Sequence, residues 1–187
     1  MFSQLVNLAP LALLGSAVMA APSGPPAQLE ARKAQVCYAT ETPARLCYSP
    51  PQGDPQDVLL DDVKFIASYL RSYGAQTRAG RLFNMAAVDA PECGEWLLYS
   101  QGTAAAFAKH IDNNVNSSVM FADIATTIDG GPNANSTAQA AALLGCGTDG
   151  GSLGVLVNAT HPTYKGSTFP AGYVTSGIII KIVASGA

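Results

Sequence analysis

Basic residues are scarce in this chain: of 187 residues only ten are Lys or Arg, they form no stripe or run, and the formal net charge is −3. A protein that neutralises phosphates needs a basic face, so nucleic acid and anionic membrane are excluded as primary partners. No apolar run reaches the ~20 residues that span a bilayer. There is no Cys-x-x-Cys, and the two histidines, His110 and His161, lack ligand spacing. Neither a metal site nor a cofactor is therefore expected. Trp96 is the single tryptophan, which leaves little for stacking sugars. A glycosidase built on Glu92, Glu95 and Asp89 is accordingly disfavoured, because neighbouring acids in a turn are usually solvated. Trp96 reads instead as a core residue of its strand.

What the chain does hold is the layout of a secreted domain. Met1 to Ala20 carries an apolar stretch from Leu8 to Val18 and the small-x-small spacing of Val18 and Ala20, the pattern of a cleaved signal peptide, although the usual basic n-region is missing. Residues 21–35, rich in Pro and small residues, read as a disordered leader or propeptide containing the dibasic pair Arg32 and Lys33. Residues 36–187 then form one domain, on the order of 150 residues, enough for a single core.

All four cysteines, Cys37, Cys47, Cys93 and Cys146, fall in that domain, as expected of a disulfide-stapled extracellular protein, and three connectivities are open. The short span from Cys37 to Cys47, with Pro43 inside it, favours that pair and leaves Cys93 with Cys146. Three sequons, at Asn116, Asn135 and Asn158, predict exposed glycans.

The periodicity of Leu59, Val63, Ile66, Leu70 and Tyr73 predicts a helix, with Asp61 and Asp62 at its start and Gly74 at its end. Short segments at 81–88, 95–100, 104–111 and 118–126 read as strands of a meander. Residues 136–144 read as a short helix, 153–157 as an apolar run, and 178–183 as a central strand. The expected class is α+β and β-rich: an antiparallel, barrel-like sheet with one or two covering helices and two disulfides.

Candidate chemistry is thin. His110, Asp129 and the Gly-flanked Ser152 offer the parts of a serine-type triad, but Asp149 and the glycines around Ser152 read better as a loop between a helix and a strand. Residues 129–135 place oxygen ligands at alternate positions yet lack the acids and closing glutamate of a calcium loop, and read as a Gly/Asn turn.

The runs CYATETPARLCYSP, DVKFIASYLRSYGAQTRAGRLFNM, DAPECGEWLLYS, AKHID, NSSVMFADIATTIDGG and CGTDGGSLGVLVNAT resemble fungal secreted elicitors of the hypersensitive-response-inducing type, small four-cysteine proteins that plants detect as defence or cell-death signals. The resemblance covers residues 37 to about 183. It implies a monomeric antiparallel β-barrel with two disulfides, an apoplastic location, a plant host protein or receptor as partner, and no catalytic activity. Two recognition segments follow as candidates: residues 114–135, with Asp129 and Asn133, and the cationic end of the first helix, with Arg71, Arg78 and Arg81. The alternatives from the residues alone are a secreted hydrolase, of serine or carboxylate type, and an extracellular cell-wall or inhibitor protein.

Overall fold

The computed structural model describes residues 41–90 and 94–186. The signal peptide, the leader with its dibasic pair, Cys37, Glu92 and Cys93 lie outside the described residues. Those described belong to one compact unit.

In chain order the elements are β1 (Leu46–Cys47), α1 (Leu60–Gly74), β2 (Leu82–Met85), β3 (Glu95–Gln101), β4 (Ala104–His110), β5 (Asn116–Met120), α2 (Phe121–Asp129), α3 (Ser136–Ala141), β6 (Gly151–Gly154), β7 (Tyr173–Val174) and β8 (Ile178–Ala184). The class is α+β, as expected. Among the described residues the sheet does not close into a barrel; they form two sheets, a five-stranded antiparallel one in the order β1-β6-β8-β4-β3 and a three-stranded one in the order β2-β5-β7, in which β7 runs parallel to β5. The expected meander survives only in part, as the β3–β4 hairpin, because β8 from the end of the chain inserts between β4 and β6.

β8 shows why the core lies where it does. Side chains alternate across a strand, so Ile178, Ile180 and Ile182 share one face and Ile179 and Lys181 the other. The first set joins a buried cluster with Val63, Ile66 and Leu70 of α1 and Ile124 and Ile128 of α2. Each such side chain, fully removed from water, contributes roughly 1.5–3 kcal/mol. On β4 the inward residues are Ala104, Ala106 and Ala108, all fully buried, and their small size lets α1 approach the sheet closely. The start of α1 is fixed by Asp62, which accepts from the N–H and hydroxyl of Thr103 (both 2.8 Å) in the β3–β4 turn.

The opposite face carries charge. Lys109 and Lys181 each pair with both Glu41 and Glu95: Lys109 with Glu41, Lys109 with Glu95 at 3.4 Å, Lys181 with Glu41 at 3.1 Å and with Glu95 at 2.7 Å. The alternation of signs in this ring offsets part of the cost of covering four charges. Burial, followed by the Lys181 charge, pushes the Lys109 pKa below the usual lysine value.

Further sequence expectations change. Residues 118–126 are not one strand: β5 ends at Met120 and α2 begins at Phe121. Ile124 and Ile128, four residues apart, bury one helical face, and Gly130 terminates α2 in the left-handed region (φ 87°). The junction carries no sequence signal, since Met120 stands at the N-cap without a capping side chain. Next, the helix at 136–144 stops at Ala141 and continues as 3-10 turns over Leu143–Asp149, with a break at Gly147. The run at 153–157 leaves the sheet after Gly154.

The last correction concerns the disulfide. Cys47 bonds Cys146, with Cα atoms 5.2 Å apart, which excludes both the Cys37–Cys47 and the Cys93–Cys146 pairs. β1 pairs with β6 so that Cys47 lies opposite Gly151, which brings it beside the 3-10 turn holding Cys146. Contact across strands overrode proximity in sequence. Closing a span of 99 residues restricts the unfolded chain by roughly 4–5 kcal/mol in the chain-entropy model. Non-reducing peptide mapping is expected to recover a Cys47–Cys146 peptide. A Cys47→Ala/Cys146→Ala double variant is expected to lose about 2–5 kcal/mol in urea denaturation.

Candidate functional site: a groove beside the second helix

A groove of about 750 Å³ lies between α2, the turn after it and the extended segment 155–158. Its long side is the outer face of α2, where Asp123 and Thr126 lie one turn apart. Leu156 and Val157 form the facing wall, and Arg71 and His161 stand at its rim.

Each wall is held by a specific bond. α1 and α2 meet closely: a Cβ on Gly74 would lie 3.0 Å from that of Phe121. Arg71 of α1 reaches Asp129 at the end of α2 (2.7 Å), and the same Asp129 oxygen accepts from the Gly131 N–H (2.8 Å), closing the turn read in the sequence as Gly/Asn. The facing segment is bonded to α2 by side chains. Leu156 N–H donates to Thr127 Oγ1 (2.8 Å) and Asn158 N–H to Asp123 Oδ2 (3.2 Å). Asp123 is 6 % exposed, and its Oδ2 also accepts from the Tyr164 hydroxyl (2.6 Å), which in turn accepts from the Met120 N–H (2.8 Å). Burial and the adjoining carboxylate raise the Tyr164 pKa, so its hydroxyl remains a donor.

The sequence candidates distribute around this groove unevenly. Arg71 and Asp129, read as belonging to separate recognition segments, are joined by their ion pair. Arg78 is exposed and lines a neighbouring depression that also includes His161. Arg81 lies elsewhere, stacked over the Tyr73 ring (4.2 Å) and bonded to its hydroxyl (3.1 Å), within a chain of aromatic contacts running through Phe121 and Phe83 to Trp96. Trp96 is half-buried there, packed on the core. Asn133 is exposed in the turn. Of the sequons, Asn158 is exposed at the groove, its Oδ1 accepting from Thr160 of the same sequon (2.7 Å). Asn135 is exposed and caps α3 through the Ala138 N–H (2.9 Å). Asn116 is half-buried and accepts from the Ala87 N–H (2.9 Å).

The serine-type constellation does not assemble. His110 lies opposite Ile178 on β8 and Ser152 opposite Lys181; an odd offset along one strand places them on opposite faces of the sheet. His110 is fully buried and bonds Ser117 Oγ (3.1 Å), while Asp149 accepts from Ser49 (2.6 Å). Asp89 is exposed, and Glu95 is committed to the lysine ring. Asp123, Tyr164 and His161 were not singled out in the sequence, because Asp123 fell in a segment read as strand and its partners are some forty residues away in the chain.

Compared with known proteins, the chain matches no family model, no curated protein and no solved structure.

Burial depresses the His110 pKa below the ordinary 6.5, an effect partly opposed by the Ala90 carbonyl and by Asp112. The unfolded chain therefore binds a proton first as pH falls, and stability declines from about pH 6.5 down to the folded-state pKa, by at most about 1.4 kcal/mol per pH unit. Denaturation at pH 7 and pH 5 checks this. His110→Gln is expected to reduce the loss on acidification; an unchanged loss would contradict the assignment.

Proposed function

We propose that this chain is a secreted elicitor or effector, recognised in the plant apoplast as a surface by a host protein, and that the groove rim carries the recognition. The reading rests on the resemblance of residues 37–183 to the hypersensitive-response-inducing elicitors. The observation that carries it to this site is the Arg71–Asp129 pair, which joins one residue of each candidate segment at the groove. Loops on a rigid scaffold are where binding residues concentrate, and here the 130–135 turn projects from a helix end fixed by that pair. A long-range disulfide and exposed sequons suit persistence outside the cell.

The proposal is tested by infiltrating purified protein into leaf tissue. Wild type is expected to cause a defence response or cell death, and Ser152→Ala is expected to retain it. Asp129→Ala/Asn133→Ala, with unchanged circular dichroism, is expected to raise the half-maximal dose about tenfold or more, the equivalent of ~1.4 kcal/mol at a recognition contact. A folded wild-type protein that causes no response contradicts the proposal, and a fully active double variant removes the rim from it.

A further inference from the structure

We infer that the groove is a binding site for an alkylammonium group, with Asp123 as its anionic anchor. The inference does not depend on the elicitor reading, because it follows from how one carboxylate is divided.

Asp123 is more than nine-tenths buried, yet only Oδ2 is engaged, by the Tyr164 hydroxyl and the Asn158 N–H. Oδ1 takes no hydrogen bond or ion pair among the described residues, and the side chain lines the groove. The other charges there cancel, since Arg71 is held by Asp129 at 2.7 Å. Asp129 lies six residues on from Asp123, roughly 9 Å of rise along the α2 axis. The groove is left with one uncompensated negative charge.

Oδ2 is occupied by its two donors, Oδ1 opens to the groove, and the first turn of α2 favours negative charge beside it. A cation on Oδ1 would complete the arrangement. A divalent metal needs several oxygen or nitrogen ligands, and only one carboxylate oxygen is on offer. Guanidinium binds best to two oxygens at once, and Oδ2 is already engaged. A primary ammonium, with its compact charge and three donors, suits a single oxygen. The stem attached to it would lie along Met120, Leu156 and Val157, which supply apolar surface beside the carboxylate. The ligand class is thus an ammonium on an aliphatic chain. A free polyamine and a lysine side chain of a partner protein share that chemistry.

The test is a titration followed through backbone amide NMR shifts. The n-butylammonium ion is expected to shift the Thr126, Gly131 and Asn158 signals saturably, while 1-butanol, with the same chain and no charge, should bind at least tenfold more weakly. Asp123→Asn should abolish the shifts. Because that variant also alters the bonds to Tyr164 and Asn158, Thr126→Arg provides an independent arm: it leaves Asp123 in place and sets a guanidinium three residues along the same helical face. It too should abolish binding. Spermidine and the peptide acetyl-Gly-Lys-Gly-amide are then compared, and the tighter of the two identifies the source. The arginine counterpart of the peptide should bind several-fold more weakly than the lysine form. Equal binding of butanol, retention of binding in folded Thr126→Arg, or preference for arginine over lysine would each overturn the assignment.

Discussion

The Asp123 carboxylate is the constraint around which this side of the molecule is organised. A charged oxygen accepting two hydrogen bonds in a water-poor setting binds its donors more strongly than a neutral acceptor does. One donor is the hydroxyl of Tyr164, which passes the connection on to the first amide of α2's approach at Met120. The other is the backbone of Asn158. A single side chain in the first turn of a nine-residue helix thereby ties down the segment that follows β6 and the 3-10 turn at Pro162–Lys165. The groove exists because these chains are held apart from α2 by side chains instead of packing flat upon it.

Behind that helix the two faces of the five-stranded sheet carry different residues. Ile178, Ile180 and Ile182 of β8 and Ala104, Ala106 and Ala108 of β4 face the core, while Lys109 and Lys181 on the other face join Glu41 and Glu95 in the ion-pair ring. This separation also removes the most tempting catalytic reading, since His110 and Ser152 cannot face each other through a sheet. The Ser117 bond to His110 ties β4 to β5, and hence one sheet to the other.

What could be read from the sequence was local. The amphipathic period of α1 located it to within a residue, and the β-branched run at 178–183 marked the central strand. Features that depend on distant pairing were not legible. The Cys47–Cys146 bond follows from β1 lying on β6, a contact across about a hundred residues, whereas sequence proximity pointed to Cys37. The strand-to-helix switch at Met120 was hidden because Val119, Met120 and Phe121 form an apolar run that suits either element, and no cap residue divides them. Once that segment was read as a strand, Asp123 had no helix face and no groove. Arg71 and Asp129, read in separate candidate segments, form an ion pair, whereas Arg81 serves the aromatic packing around Tyr73.

Residue-resolved hydrogen exchange tests most directly whether Asp123 holds this side of the fold together. The Asn158 amide depends on Asp123, whereas the Leu156 amide depends on Thr127. In Asp123→Ala the account predicts that Asn158 exchange accelerates about tenfold or more, as loss of a bond to a charged acceptor implies. Leu156 and the β8 amides should keep most of their protection. An unchanged Asn158 rate, or the same acceleration at every amide, would contradict it.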